Sequence, residues 1–286
     1  FGSRAAIACI PVWAKGLMEE ERTNTSDLVT FSQPRVINDD DELMPEKEWG
    51  KEERQEHKFS NGIVYKGQWA NNQPNGEGLQ VWPDGRNYRG SFVNGKADGL
   101  GTFEYTNGSV YVGPWVNDMA HGQGFCTLAD GSVYRGSWVS GRQHGHGSLT
   151  FTDGTTFDGQ FIDGAKTGAG KVKYCGDKTG CSYDGQFQND AFHGTGIYVW
   201  DDGRRYDGQW KDSRMHGEGT FTFGDGRRYT GQYIEGEKSG VGTYQWPDGR
   251  MYKGMVKSGK QHGQGVYVDA KGRKKKGEWN LGKFIA

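Results

Sequence analysis

Proline is scarce, with seven among 286 residues, and no three-residue glycine period runs through the chain, which excludes a collagen-like triple helix. Hydrophobic residues reach only 33%, and no apolar run approaches about 18 residues, which excludes a membrane-spanning helix. The four cysteines, Cys9, Cys126, Cys175 and Cys181, are too few and too scattered for a disulfide-stapled secreted fold and point to a reducing interior. Charge is nearly balanced, 35 Lys and Arg against 36 Asp and Glu, without the basic excess expected of a nucleic-acid binder. What is plentiful is glycine, with 49 residues, about one in six. Glycine costs about 1 kcal/mol at each helix-interior site, so a helical bundle is excluded. Aromatic residues make up 13% of the chain and carry much of its apolar surface. The class that remains is all-β, with frequent turns and cores built from rings.

A Tyr-x-Gly-x-aromatic word recurs at Tyr65-Gly67-Trp69, Tyr88-Gly90-Phe92, Tyr111-Gly113-Trp115 and Tyr134-Gly136-Trp138. It continues at Phe157-Gly159-Phe161, Tyr183-Gly185-Phe187, Tyr206-Gly208-Trp210 and Tyr229-Gly231-Tyr233, decays at Tyr252-Gly254-Val256, and ends as a half copy at Lys275-Gly277-Trp279. The step is 23 residues, except for 26 between Phe157 and Tyr183, where three residues are inserted. Gly-x-Gly follows each start by eleven residues, as at Gly76/Gly78 and Gly217/Gly219, and a mostly Asp-Gly pair such as Asp84-Gly85 precedes the next start by three. A repeat in phase through nine copies marks an array of supersecondary units.

These words resemble the MORN repeat family, over residues 61–286. The resemblance implies a non-catalytic repeat array. Repeat-only MORN proteins are found in ciliary radial spokes, cytoskeletal rings and membrane-associated complexes, and phospholipid association has been proposed for the family generally. MORN arrays also occur fused to lipid kinase or methyltransferase domains, for which a chain repeating almost to Ala286 leaves no room.

Physical reasoning on the residues leads to the same geometry. Asp-Gly between apolar stretches signals a hairpin. A three-residue loop ending in a left-handed Gly sets Trp82 across from Arg86, Gln80 from Tyr88, Gly78 from Gly90 and Gly76 from Phe92, all on one face. Only this register gathers every repeated aromatic on one side. A ring of the Trp69 type then lies opposite a Gly and is expected to lie flat over the gap. The expected fold is all-β: an elongated single-layer antiparallel meander of 23-residue β-hairpin repeats, twisted and curled, roughly 80–90 Å long at about 4.8 Å per strand. A mostly irregular N-terminal arm, residues 1–60, carries a net charge of −5 (8 − 13), against +4 (27 − 23) for the array at 61–286. The arm folds back on the array, or is solvated or bound to a partner. Residues 46–58 suggest a helix, and Trp13 and Trp49 read as anchors. The absence of a starting Met suggests a matured product or a fragment.

His121, His144, His193, His216 and His262 share one phase just before Gly-x-Gly. Successive copies sit two strands apart, roughly 9–10 Å, too far for one zinc ion, so turn chemistry is the expectation and no metal or other cofactor is expected. Cys175 and Cys181 flank the insertion, and the spacing leaves free thiols or a bridge open. Arg86, Arg204, Arg227 and Arg250 face Trp82, Trp200, Phe223 and Trp246 in the expected register, a pattern for cation–π pairing. The competing reading is a basic rim of Arg204, Arg205, Arg227, Arg228, Arg250, Lys274, Lys275 and Lys276 that takes anionic lipid headgroups. No nucleophile elbow, zinc-protease helix or phosphate loop is present, so the chain reads as a non-enzyme.

An aromatic face this large in a one-layer sheet requires a cover. The expected function is a scaffold in a large intracellular assembly, cytoskeletal, ciliary or organelle-associated. It grips a protein segment, or a second copy, through a groove of Trp69, Phe92, Trp115, Trp138, Phe161, Phe187, Trp210 and Tyr233. The alternative is a peripheral module on anionic membrane.

Overall fold

The computed structural model describes residues 52–286. The readings of residues 1–51, with Cys9, Trp13 and Trp49, lie outside the described residues. The described residues form 22 strands and no α-helix, joined as one open antiparallel sheet in meander order. The chain divides into two compact units. The described part of the first holds residues 52–152 and 162–164, and the second holds residues 153–161 and 165–286. Each follows the same local plan.

In the first unit, strand Gln73–Val81 pairs with strand Asn87–Val93 in the expected register: Gly76 opposes Phe92, Gly78 opposes Gly90, and Gln80 opposes Tyr88. The loop is Pro83-Asp84-Gly85. Trp82 N–H donates to the Arg86 carbonyl at 3.0 Å, Gly85 N–H donates to the Trp82 carbonyl at 3.0 Å, and the Asp84 carboxylate accepts from Arg86 N–H at 3.2 Å. The second unit repeats this at Trp200/Arg204, Phe223/Arg227 and Trp246/Arg250.

The other hairpin of each repeat turns in two residues, both left-handed, as at Asn94-Gly95 with φ of +50° and +80°. Asn and Gly tolerate that conformation, which matches the twist of the flanking strands. The second turn residue donates its N–H one repeat back: Gly95 to the Pro74 carbonyl and Asp118 to that of Ala97, both at 2.9 Å, in the first unit. In the second unit Ser213 donates to Phe192 and Gly236 to Met215, at 2.9 and 2.8 Å. This ladder lies outside the strand pairing.

A bulge follows each two-residue turn. Gly67 opposes Gly78 and Trp69 opposes Pro74, so Gln68 alone spans three residues of the facing strand. Its side-chain oxygen accepts the Glu77 N–H at 3.0 Å. In the second unit Gln186, Gln209 and Gln232 do the same for Thr195, Glu218 and Val241, at 2.9, 2.8 and 3.0 Å. The first Gly of Gly-x-Gly sits in this bulge. Gly194 has φ of +63°, and its missing Cβ would point at the Gln186 amide.

Two expectations change. The ring lying in the glycine hollow is the Tyr of each word, not the Trp-type aromatic. A Cβ on Gly67 would lie 2.6 Å from the Tyr65 hydroxyl, and one on Gly78 would lie 2.7 Å from its Cζ. Tyr65 folds back over its own strand, where its hydroxyl reaches the Gln68 carbonyl at 2.7 Å; Phe157 takes the same place over Gly159 and Gly170 without a hydroxyl, so the hollow itself seats the ring. Tyr183, Tyr206, Tyr229 and Tyr252 make the same bond at 2.8–3.1 Å. The second change concerns the helix suggested over 46–58. Its described end, Glu52–Lys58, is a strand that pairs with Val64–Ala70. Backbone pairing to a sheet edge outweighs the local helix preference of a charged segment, and the His57 ring packs edge-on at 5.5 Å from Trp69.

Candidate functional site

The rings form two tiers on one face of each unit. In the first unit the lower tier is a chain of edge-to-face contacts. Tyr65 meets Trp69 at 5.0 Å, Tyr88 meets Trp115 at 4.9 Å, and Tyr111 meets Trp138 at 4.9 Å. In the second unit Phe157 meets Phe187 at 5.1 Å, Tyr183 meets Trp210 at 5.6 Å, and Tyr206 meets Tyr233 at 5.1 Å. Tyr65 also meets Phe92 at 5.7 Å, so each tyrosine or phenylalanine touches the large ring of the next repeat. The geometry suits the negative ring face and positive ring edge.

All eight predicted groove residues lie in this lower tier and are buried: Trp69, Phe92, Trp115 and Trp138 in the first unit, and Phe161, Phe187, Trp210 and Tyr233 in the second. None exceeds 7% exposure. They shape the floor of the face, and their side chains are spent on packing within the chain. The Trp210 indole also donates to the Gly196 carbonyl at 2.9 Å.

The upper tier comes from the Gly-x-Gly strand and the loop after it. In the second unit Tyr174, Tyr198, Trp200, Phe223, Tyr244 and Trp246 are half-buried. Burial pushes the phenols of Tyr174 and Tyr244 up to about 12, so both remain neutral, and the Tyr244 hydroxyl donates to the Gly259 carbonyl at 2.5 Å.

The arginines expected over these rings are there. The Arg204, Arg227 and Arg250 guanidinium carbons lie 5.4, 4.9 and 5.6 Å from the ring centroids of Trp200, Phe223 and Trp246. Arg86 lies 4.7 Å from Trp82 in the first unit. Each of the three is also ion-paired to the turn aspartate two residues before it: Arg204 to Asp202 at 2.6 Å, Arg227 to Asp225 at 2.7 Å, and Arg250 to Asp248 at 2.7 Å. The Arg227 backbone N–H first, and then its guanidinium, hold the Asp225 carboxyl below the usual range, so the pair stays ionised. Arg205 pairs with Asp207 at 2.7 Å, and Lys275 lies 3.3 Å from the Phe284 ring centroid. Arg228, Lys274 and Lys276 are exposed. The expected basic rim is therefore partly neutralised by its own turn carboxylates.

His193 and His216 oppose Gln186 and Gln209, on the face away from the rings. Among the described residues no group of three His, Cys, Asp or Glu side chains converges on a metal position. Cys175 and Cys181 are free thiols. Tyr174 N–H donates to the Cys181 carbonyl at 3.1 Å, which sets Cys181 in the ladder and Cys175 in the loop. The periodic sequence pattern shows which face a ring occupies, but neither the two tiers nor the glutamine row at Gln68, Gln160, Gln186, Gln209 and Gln232 was read from it. The signal for the glutamines was their recurrence one residue after the word's glycine.

The MORN repeat model matches nine times, at residues 65–85, 88–110, 111–133, 134–156, 157–176, 183–204, 206–227, 229–249 and 252–272. A comparison with curated proteins finds no match. Among solved structures, a mutant of the TCP10 domain of Danio rerio CPAP is 15% identical, with a TM-score of 0.40, covering 73% of this chain and 96% of that one. The SAS-4 (dCPAP) TCP domain of Drosophila melanogaster, solved in complex with a proline-rich motif of Ana2 (dSTIL), is 7% identical, with a TM-score of 0.25, covering 83% of this chain and 97% of that one. Likeness at these scores carries no functional argument.

Proposed function

Since the chain belongs to the MORN-repeat family, with nine consecutive copies in phase, we propose that it is a non-catalytic scaffold whose half-exposed aromatic tier receives a segment of another protein. The observation that carries this reading is the one-sided stacking of rings: a sealed floor beneath a tier of half-buried rings, most complete in the second unit. A surface of rigid rings with neutral phenols and ion-paired guanidinium groups offers apolar contact at low entropy cost. The buried residues Trp69, Phe92, Trp115, Trp138, Phe161, Phe187, Trp210 and Tyr233 support the contact from below. The setting proposed is a multi-subunit assembly inside the cell, in keeping with thiols left free at Cys126, Cys175 and Cys181.

The test uses affinity capture with the intact chain and two variants. Trp200→Ala with Trp246→Ala trims the aromatic tier, and Ile234→Ser with Val241→Ser alters exposed residues of the opposite face. The first pair should lose proteins that wild type retains, and the second should keep them. The reverse pattern would overturn the reading.

A further inference from the structure

Lys238 lies on the ring face of the second unit, opposite Tyr233 across its hairpin. Corresponding positions in that unit hold Lys166, Phe192, Met215 and Gln261. Lys166 has Asp190 at 3.5 Å. The Lys238 ammonium has no hydrogen-bond or ion-pair partner among the described residues. Four rings surround it instead: its Nζ lies 4.4 Å from the centroid of Phe223, 4.9 Å from Phe221, 5.3 Å from Tyr229 and 5.7 Å from Tyr244.

Such a cage suits a cation and offers little to an N–H donor. The ring faces attract positive charge. The three N–H groups of an ammonium need acceptors; the protein supplies none here, so only the solvent that still reaches this half-buried side chain serves them. Each N-methyl group removes one such donor, adds apolar surface against the rings and leaves the charge in place. We propose that Lys238 is an N-methylation site whose methylated ammonium is held by Phe221, Phe223, Tyr229 and Tyr244.

The chemistry requires a free amine and a methyl sulfonium donor. The amine lone pair attacks the methyl carbon and the carbon–sulfur bond breaks. Sulfur keeps the electron pair and leaves as a neutral thioether. The new N-methylammonium either keeps its positive charge or loses a proton to water before the next transfer. The surroundings favour the free amine. Burial first, then the Arg227 charge, bring Lys238 down to about 8, while Glu237 acts the other way. At pH 7.4 about 20% of such an amine is unprotonated, against about 0.1% for an ordinary lysine. The facing tyrosines, Tyr229, Tyr233 and Tyr244, are kept neutral by burial and add no charge. The site stands apart from the partner-binding reading, since it needs no occupant on the face.

Two measurements on the full chain test it. First, the folded protein is reductively methylated with 13C-formaldehyde and a borane, and its dimethyl-lysine resonances are recorded. One signal, absent in Lys238→Arg, should lie upfield of the cluster of exposed lysines and titrate at lower pH. In Phe223→Ala it should return to the cluster while far-UV circular dichroism is unchanged. A Lys238 signal inside the cluster in wild type, or one unmoved by Phe223→Ala, would overturn the proposal. Second, peptide mass spectrometry of the chain purified from the cells that make it should find one, two or three methyl groups on Lys238. An unmodified Lys238 there would overturn it equally.

Discussion

Replacing Gly219 by Ala asks the second unit to accept one methyl group over the Tyr206 ring. Gly219 opposes Gly208 across the sheet, and the added Cβ would lie 2.5 Å from Tyr206 Cε2 and 2.6 Å from Cζ. Its φ is not among the left-handed values, so the backbone itself accepts alanine. The nearest conflict is therefore with the ring. Tyr206 is fully buried, donates to the Gln209 carbonyl at 2.9 Å, and packs edge-on to Trp210 and Tyr233 at 5.0 and 5.1 Å. If the ring is expelled, the loss approaches that of truncating a buried aromatic, about 3–5 kcal/mol. If the sheet yields instead, overpacking costs about 1–3 kcal/mol. We expect about 3 kcal/mol. Gly203→Ala is the control: its φ is +81° and nothing lies within 4 Å of the added Cβ, so only the backbone term of about 1–2 kcal/mol applies. In a Tyr206→Ala background Gly219→Ala should cost less than about 1 kcal/mol, a coupling of about 2 kcal/mol. Urea unfolding followed by tryptophan fluorescence gives the total. Amide exchange over 206–219 locates it, since repeat arrays open locally. An equal cost in both backgrounds would refute the ring-in-hollow packing.

Three further outcomes are expected. Gln209→Ala removes the acceptor for the Glu218 N–H in the bulge, so it should cost about 1 kcal/mol and speed exchange of that amide in particular; a uniform change along the unit would contradict this. Burial raises the Tyr206 and Tyr229 phenols above their ordinary value and Tyr174 and Tyr244 to about 12. Their folded values exceed the unfolded one, so the stability they contribute is intact below about pH 10 and is lost as pH rises from there. Phenolate absorbance should therefore appear cooperatively with loss of the circular dichroism signal, and gradual ionisation near pH 10 in a folded chain would contradict it. Anionic vesicles should bind weakly, because Arg204, Arg205, Arg227 and Arg250 already face aspartates. Tight, salt-sensitive binding lost on Arg204→Gln with Arg227→Gln would restore the basic rim.

The 23-residue step and the Asp-Gly loop made much of the fold legible, because a period of two fixes the face of every residue once one loop length is known. Gly76 against Phe92 and Trp82 against Arg86 follow from that alone. Depth was not legible. Trp210 and Trp200 belong to the same face of the second unit, yet one is sealed and the other half-buried, since exposure depends on how far each ring sits from the glycine pair. Nor was the rotamer of Tyr65 legible: the pattern places its Cα, whereas the space over Gly67 and Gly78 takes the ring and the Gln68 carbonyl accepts its hydroxyl. The Glu52–Lys58 strand escaped because its partner is a sheet edge, which the local sequence does not encode. The Lys238 cage escaped for a related reason, as its rings come from three strands and a loop.

The bonds that run from each two-residue turn to the repeat behind it give the sheet a selvedge. The one insertion falls on the opposite margin: the residues between Cys175 and Cys181 enlarge an Asp-Gly-type loop, while Asp190 N–H still reaches the Lys166 carbonyl at 3.0 Å. One border can therefore vary in length from copy to copy while the other holds the count, and new decoration on such a ribbon has one side on which to grow.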